Sequence, residues 1–303
     1  MFSTKKGTAR LTLGVIIGLV ILKIVVSVIT GSISIIAQTA DSSLDLLAVV
    51  IAFFAISMAA KPADEEHPFG HGKIENISAV VQAILIFTAG GLIIYSAANR
   101  IVSKATIEMT EAGIGIMVVS IVVSILLSRH LLKVSRATDS LALEAIGHNI
   151  AADVYSAAGV LAGLVVIRLT GIIILDPIIA LAVALIIIRS AYTVIRKSFG
   201  GLMDVRLPMA EEAVIRSCLE EHTGQLVGFH KLRTCKAGNK RYIDLHLVMP
   251  KTASVEEAHR VCDHLEQDLE EKLNNTDITI HVEPCTIECD QCSVSCNLRK
   301  RAP

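Results

Sequence analysis

Two hydrophobic patterns divide this chain of 303 residues near residue 200. Before that point, long apolar runs are separated by short polar segments, and after it apolar and charged residues alternate over short distances. A helix of roughly 20 apolar residues crosses the hydrocarbon core of a bilayer. Six runs have that length and predict an α-helical membrane bundle of six transmembrane helices. The runs cover residues 11–29, 33–58, 74–99, 112–135, 141–168 and 172–196.

The basic residues that flank these runs predict the orientation of the bundle. Ten lysines and arginines fall on the side of the two termini, and three fall on the opposite side. Because cytoplasmic loops carry the excess of basic residues, both termini are expected in the cytoplasm, with the bundle in the cell membrane. The first run follows Lys5, Lys6 and Arg10 but lacks a small-residue cleavage site, so we interpret it as a span and not a signal peptide.

The second run carries two carboxylates near its middle. Asp41 and Asp45 are four residues apart, which puts both on one helical face. Charged groups inside a membrane are costly and rarely face lipid. One interpretation is that Asp41 and Asp45 are neutral or salt-bridged carboxyls that hold helices together. We favour the other, that they belong to an oxygen-rich cation site. Lys23 lies within the first run, where it either snorkels or pairs with a carboxylate, and the sequence assigns it no role.

The fifth run repeats this arrangement. Asn149 and Asp153 are again four residues apart on one face. If the second and fifth helices face each other, they supply three carboxylates and one amide oxygen to a single cation. His148 lies about 100° away around the helix. It is either a further ligand or a polar contact or hinge between helices, and the second role is favoured.

The loop after the second run carries a candidate surface metal site. It contains ADEEHPFGHGKIE, in which His67 and His71 are four residues apart and Asp64 stands just before them. Taken with the polar pairs on the second and fifth runs, this segment resembles the cation diffusion facilitator family. The resemblance extends from the first run to about Cys285.

The resemblance implies a homodimeric exporter of divalent metal ions. Such proteins exchange metal for protons by alternating access, through six membrane helices and a cytoplasmic domain that resembles a metallochaperone. The metal is substrate and regulator, and no cofactor is required. By position, the resemblance implies a transport site, a loop site and a charge pair that ties the dimer together. The transport site consists of Asp41, Asp45, Asn149 and Asp153. The loop site consists of Asp64, His67 and His71, and the charge pair consists of Lys73 and Asp204.

One position departs from the zinc-transporting pattern of that family. Asn149 stands where that pattern has a histidine, which leaves a set of oxygen ligands. Oxygen favours harder ions and imidazole favours zinc. The sequence therefore predicts Mn²⁺ or Fe²⁺ as a better substrate than Zn²⁺. The alternative is a zinc or cobalt exporter, in which His148 turns inward.

The chain after residue 200 is predicted to form a small cytoplasmic α+β domain, ferredoxin- or metallochaperone-like. The pattern indicates helices over 210–222 and 254–273 and strands over 228–235, 241–248 and 277–282. The resemblance places metal ligands at His230, His246, His259, His281 and Glu283. Lys231 beside His230 weakens that match, because a cation repels a bound ion. The alternative is a dimerisation module with ordinary surface histidines.

The tail is rich in cysteine. Four thiols with spacings typical of ligands for a soft metal lie at Cys285, Cys289, Cys292 and Cys296. The expected metal is zinc, with an iron–sulfur cluster as the alternative. If the tail binds no metal, it has a redox role or is disordered. Cys218, Cys235 and Cys262 are interpreted as ordinary cytosolic cysteines. The predicted domains are 1–200 for transport, 201–285 for metal binding and dimerisation, and 286–303 for the tail.

Two functions of different classes fit these features. The first is a proton-coupled exporter of divalent metals, and the second is a membrane metal sensor that binds ions without moving them. The sequence has no HExxH and no GxSxG, so an intramembrane hydrolase is not favoured and no enzyme is predicted. The net charge of −1 comes without a basic patch, so no nucleic-acid partner is expected.

Overall fold

The computed structural model describes two compact units, Met1–Leu202 and Met203–Pro303. Within them, the described residues are 4–30, 33–103, 111–170, 172, 174–222 and 225–285. A few side chains inside these ranges lie outside the description, and that of Asp41 is one of them.

Six long helices build the first unit. Among the described residues, five of these helices contain a stretch long and apolar enough to cross a membrane, namely α1, α2, α3, α4 and α6 as defined below. The remaining one, α5, carries Glu144, Asn149 and Asp153, and its crossing of the membrane stays a prediction. The helices are α1 Lys5–Thr30, α2 Ile33–Ala59, α3 Lys73–Ser103, α4 Glu111–Thr138, α5 Leu141–Thr170 and α6 Leu175–Leu202.

Small residues allow α5 to pack closely on both of its main neighbours. Helix α5 packs extensively against α4 and α6, and α3 packs against α6. A Cβ at Gly159 would lie 2.9 Å from a methyl of Val183 on α6. On the other side, Ser128 Oγ of α4 donates a hydrogen bond of 2.9 Å to the carbonyl oxygen of Gly147. Such close backbone approach is typical of membrane helix bundles, and it places one face of α5 firmly in the interior.

A buried carboxylate joins the helix ends where α1, α3 and α5 begin. Glu75 of α3 is 2% exposed. One of its oxygens accepts from Lys5 Nζ at 2.7 Å, and the other accepts from Ser140 Oγ at 2.5 Å. A buried charge is tolerated only with such partners. Glu75 therefore fixes the mutual position of three helices.

The second unit is a three-stranded sheet with two helices. Strands β1 and β2 are antiparallel, β2 and β3 are parallel, and β2 lies in the centre. Ile243, Leu245 and Leu247 of β2 are buried on one face and pack with the apolar residues of α7 and α8. This confirms the order of elements that the pattern predicts. They are α7 Met209–Glu221, β1 Gly228–Ala237, β2 Lys240–Met249, α8 Val255–Lys272 and β3 Thr276–Pro284.

Candidate metal sites

The polar residues of α2 and α5 meet inside the helical unit. Asn149 Nδ2 donates a hydrogen bond of 3.2 Å to Asp45 Oδ1. Asn149 is 8% exposed, so its amide is held in the interior. Asp153, one turn further along α5, lines the same cavities as Asp45. The structure thus brings together three of the four residues expected at the transport site. Asp41 lies on α2, but its side chain is outside the described part of the chain.

Two cavities flank this contact between α2 and α5. One, of about 270 Å³, is lined from α1, α2, α4 and α5, and the other, of about 300 Å³, from α2, α3, α5 and α6. Asp45, Asp153 and Ser156 line both of them. Each volume is large enough for several water molecules. The two carboxylates therefore border space that a hydrated ion or a proton donor can occupy from either side of α2 and α5.

Lys23 of α1 lines the first of these cavities, a position that the sequence did not reveal. Its Nζ donates a hydrogen bond of 2.6 Å to Ser42 Oγ of α2. Ser42 and Lys23 share this cavity with Asp45 and Asp153. The only signal in the sequence was a lysine within an apolar run. The structure places its ammonium group in the same cavity as the carboxylates, where its charge acts on any cation that enters.

Two serines of α4 complete the polar lining of that cavity. Ser120 and Ser124 lie one turn apart and line it together with Asp45. Ser120 Oγ is buried without a hydrogen-bond partner among the described residues. Small hydroxyl residues one turn apart, as at Ser120, Ser124 and Ser128, usually mark close packing of helices. Ser128 has that role, whereas Ser120 and Ser124 border the cavity.

His148 contacts the helix on the other side of α5. Its Nδ1 lies 2.8 Å from Ser190 Oγ of α6, and its Nε2 lies 3.9 Å from Glu144 Oε1. Neither described cavity lining includes it. The contact with Ser190 supports the favoured prediction of a polar contact between helices and leaves the all-oxygen set at Asp45, Asn149 and Asp153.

The loop between α2 and α3 brings Asp64, His67 and His71 together. One carboxylate oxygen of Asp64 lies 3.3 Å from His67 Nδ1, and the other lies 3.2 Å from His71 Nε2. The two imidazole rings are 4.5 Å apart. One ligand atom from each residue falls within 4.8 Å of the others, so the loop can hold a metal ion as the sequence predicts.

Hydrogen bonds prepare this loop for a cation. The backbone N–H of His67 donates to Asp64 Oδ1 at 2.7 Å and holds the pKa of that carboxyl below its usual value. His71 Nδ1 lies 3.2 Å from the carbonyl oxygen of Pro62, which can only accept. His71 therefore directs Nε2 toward Asp64, and a metal ion between the two groups would satisfy this geometry.

Three histidines form a row across the sheet of the second unit. His230 of β1 pairs with His246 of β2, which pairs with His281 of β3. Glu283 Oε2 lies 2.9 Å from His230 Nε2, and Glu283 Oε1 lies 2.7 Å from His246 Nδ1. His281 Nε2 is further away, 3.7 Å from Glu283 Oε1. His230, His246 and Glu283 thus form a compact set of donors.

The electrostatics of this row favour a cation. Hydrogen bonds from His246 and then His230 hold the pKa of the Glu283 carboxyl below its usual value. A bulge in β1 follows His230, where Lys231 adopts a positive φ of 51°. His259 is not in the group: it lies on α8, where its Nδ1 contacts Asp263 at 3.4 Å.

The remaining predicted residues are less informative. Lys73 begins α3, and Asp204 follows α6 with a positive φ of 52°. Their proposed pairing in a dimer stays a prediction. Cys285 is buried, and its N–H bonds to the carbonyl oxygen of Met249 at 2.8 Å. Cys289, Cys292 and Cys296 lie outside the described residues.

Comparison with known proteins covers almost the whole chain. Residues 9–203 match the cation efflux transmembrane domain, and residues 207–285 match the cation efflux protein cytoplasmic domain. An uncharacterized transporter of Synechocystis sp. is 32% identical over 91% of this chain and 89% of its own length. The cation-efflux pump FieF of Serratia proteamaculans is 31% identical, with 89% of each chain covered.

Solved structures match the second unit. The zinc form of the transporter CzrB is 41% identical, covers 27% of this chain and 92% of its own, and has a TM-score of 0.26. The metal-bound C-terminal domain of the CzcD transporter of Thermotoga maritima is 24% identical over 26% of this chain and 92% of its own, with a TM-score of 0.25. On the two domain matches and the full-length relatives, this chain is an integral membrane protein of the cation efflux, or cation diffusion facilitator, family of transporters.

Proposed function

We propose that this protein exports divalent metal ions from the cytoplasm in exchange for protons, with Asp41, Asp45, Asn149 and Asp153 as the transport site. The contact between Asp45 and Asn149, from α2 to α5, is the observation that carries the proposal. It joins the two helices at the level of two carboxylates that border polar cavities. Oxygen donors of this kind are typical ligands of divalent cations.

Proton coupling follows from the charge of the site. The three aspartates contribute −3 and Lys23 contributes +1, which sums to −2 and is neutralised by one divalent ion. Without an ion, ionised carboxylates repel one another in a medium of low dielectric constant. The empty site therefore holds protons, and an arriving ion expels them because metal ligands must be deprotonated. Metal moving outward is thereby linked to protons moving inward.

The donor set supports a preference for harder ions. Asp45, Asn149 and Asp153 offer oxygen atoms, whereas His148 contacts Ser190 on α6. Oxygen ligands suit Mn²⁺ and Fe²⁺ better than they suit Zn²⁺. We therefore propose Mn²⁺ or Fe²⁺ as the better substrate, with a zinc or cobalt exporter as the alternative.

The two surface sites favour a second candidate function. Asp64, His67 and His71 form one donor set, and His230, His246 and Glu283 form another. Both are exposed enough to respond to cellular metal, as a membrane metal sensor would require. In the exporter, the same sites regulate transport. We further propose that the protein works as a homodimer with both termini in the cytoplasm.

Ion flux separates the exporter from the sensor. The purified full chain is reconstituted in sealed vesicles, and entry of Mn²⁺, Fe²⁺, Zn²⁺ and Co²⁺ is followed with a trapped indicator under an opposing pH gradient. The exporter moves at least one of these ions, faster with the gradient than without it, and Mn²⁺ or Fe²⁺ fastest. Metal binding without any flux would establish the sensor instead.

A further inference from the structure

A buried group of potential metal ligands joins α7 to α8 in the second unit. Cys218 and His222 lie one turn apart at the end of α7 and are 0% and 8% exposed. Asp268 of α8 faces them. One ligand atom from each of the three residues lies within 4.8 Å of the other two. The group lies on the helices, whereas His246 lies on the opposite face of β2 from the apolar core.

The hydrogen bonds of His222 define where its lone pair points. Its Nδ1 lies 2.9 Å from the carbonyl oxygen of Cys218, which can only accept, so Nδ1 carries a proton. Its Nε2 faces Asp268 Oδ2 at 3.3 Å. A neutral imidazole and a carboxylate would thus meet through two lone pairs. A cation must lie between or beside them, and it is either a second proton on the ring or a metal ion.

The geometry resembles that of a histidine prepared for a metal. Metal-bound histidines usually donate their second ring N–H to a backbone carbonyl or a carboxylate, which fixes the tautomer. A thiol, an imidazole and a carboxylate are the donors typical of zinc sites. Tetrahedral zinc holds such atoms about 3.3 to 3.8 Å apart. The present separations of up to 4.8 Å need a small rotation of side chains to close around an ion.

The spacing in the sequence adds a fourth donor. Cys218 and His222 form an i, i+4 pair on α7, and His264 and Asp268 form an i, i+4 pair on α8. Each pair presents both side chains on one helical face. The rings of His222 and His264 are already 5.2 Å apart, edge to face. Two facing pairs of this kind offer the four ligands that a structural zinc site requires.

We propose that Cys218, His222 and Asp268, closed by His264, bind one zinc-class ion that clamps α7 to α8. The ion replaces the thiol proton of Cys218, which passes to solvent. Lys272, whose Nζ pairs with Glu221 at 2.7 Å, lies close to Cys218 and opposes the ion's charge. The clamp does not depend on the proposed transport site, because all four of its residues lie within residues 207–285, which match the cytoplasmic domain.

Cobalt reports this site directly, because thiolate ligation to Co²⁺ gives a charge-transfer absorption band that oxygen and nitrogen ligands do not give. All seven cysteines lie beyond residue 217, so the transport helices contribute nothing to the band. The full chain is prepared with Cys289→Ser, Cys292→Ser, Cys296→Ser and His246→Ala, which removes the three tail thiols beyond Cys285 and the central histidine of the row on the sheet. Cys218→Ser on α7 is then compared with Cys262→Ser, a control at a second buried cysteine, which lies on α8.

We expect the charge-transfer band in this background and in the Cys262→Ser control. In Cys218→Ser we expect the band to disappear and each chain to bind one fewer ion. An unchanged band in Cys218→Ser would overturn the proposed metal site. The contact between His222 and Asp268 would then be an ion pair with a protonated His222. If Cys218→Ser does not fold, Asp268→Asn decides, because it keeps the thiol. It is expected to weaken Co²⁺ binding about tenfold or more, and His264→Ala to do the same. An unchanged affinity for Co²⁺ in Asp268→Asn would refute the clamp. An unchanged affinity in His264→Ala would refute only the role of His264 as the fourth ligand.

Discussion

Asn149 presents a donor and an acceptor to the space between α2 and α5. Its Nδ2 donates to Asp45 Oδ1, which leaves its carbonyl oxygen as the atom that a bound ion would contact. A histidine in its place would offer a nitrogen, the softer donor that zinc prefers. Because the other described members of the proposed site are carboxylates, we expect this one side chain to set the preference for one ion over another.

We expect Asn149→His to raise the ratio of Zn²⁺ to Mn²⁺ flux about tenfold or more, because imidazole favours zinc over manganese. Initial rates in sealed vesicles at matched free ion concentrations give the ratio. Asn149→Gln serves as the control, since it keeps an amide oxygen. Equal ratios in Asn149→His and the wild type would refute an ion preference set by this oxygen.

A second prediction concerns Lys23, whose positive charge repels an entering cation. It lines the same cavity as Asp45 and Asp153, and its Nζ is held by Ser42. Lys23→Met is expected to lower the Kd for the transported ion about tenfold, as removal of one nearby unit charge implies. Maximal turnover falls, because an ion held more tightly leaves more slowly.

Calorimetric titration and vesicle flux measure these two effects of Lys23→Met. Lys23→Arg keeps the charge and is expected to remain close to the wild type in affinity. If the methionine and arginine variants bind the ion equally well, the positive charge has no part in transport and Lys23 serves only to anchor α1 to α2.

Among the helices, close packing of α5 holds the site residues in place. A Cβ at Gly159 would lie 2.9 Å from Val183, so a larger side chain forces α5 and α6 apart. Gly159→Leu is expected to cost about 1 to 3 kcal/mol of stability by overpacking and to slow transport. Thermal unfolding in detergent detects the loss. Gly91→Leu on α3 is the control, because a Cβ there meets no atom within 4 Å. Equal unfolding midpoints would contradict close packing at Gly159.

The sequence predicted the elements well because each has a local signature. The amphipathic pattern and the capping box of Ser254 and Glu257 mark the start of α8, and the long apolar runs mark the helices of the first unit. Helix α5 carries the polar residues of the site within such a run. The bulge after His230 has no comparable signature, because it depends on how β1 pairs with β2.

The candidate sites were predictable only where their ligands are close in sequence. The pairs on α2 and on α5 are visible as spacings of four residues, but their meeting required either the family resemblance or the structure. Lys23 reaches the site from a third helix, and its contact with Ser42 could not be inferred from one sequence. Cys218 and Asp268 are separated by 49 intervening residues and meet only when α7 packs on α8.

The whole molecule combines a membrane unit and a second unit that both carry metal-ligand sets. The membrane unit holds the oxygen donors between α2 and α5 and the loop set at Asp64, and the second unit holds imidazole, thiol and carboxylate donors. An all-oxygen set thus lies between α2 and α5, and the sets that contain imidazole or thiol lie in the loop and in the second unit. This division suits a protein that moves one ion and responds to metals through other sites.

Transport by exchange requires that metal and proton flows stop together when a site carboxylate is lost. Vesicles that contain both a metal indicator and a pH indicator record the two flows at once, for the wild type and for Asp45→Asn and Asp153→Asn. Glu65→Gln, which alters an exposed loop carboxylate, is the control. We expect the wild type and the control to move metal and protons in opposite directions, and both aspartate variants to move neither. Coupled flow that persists in Asp45→Asn and Asp153→Asn would contradict the proposed transport site.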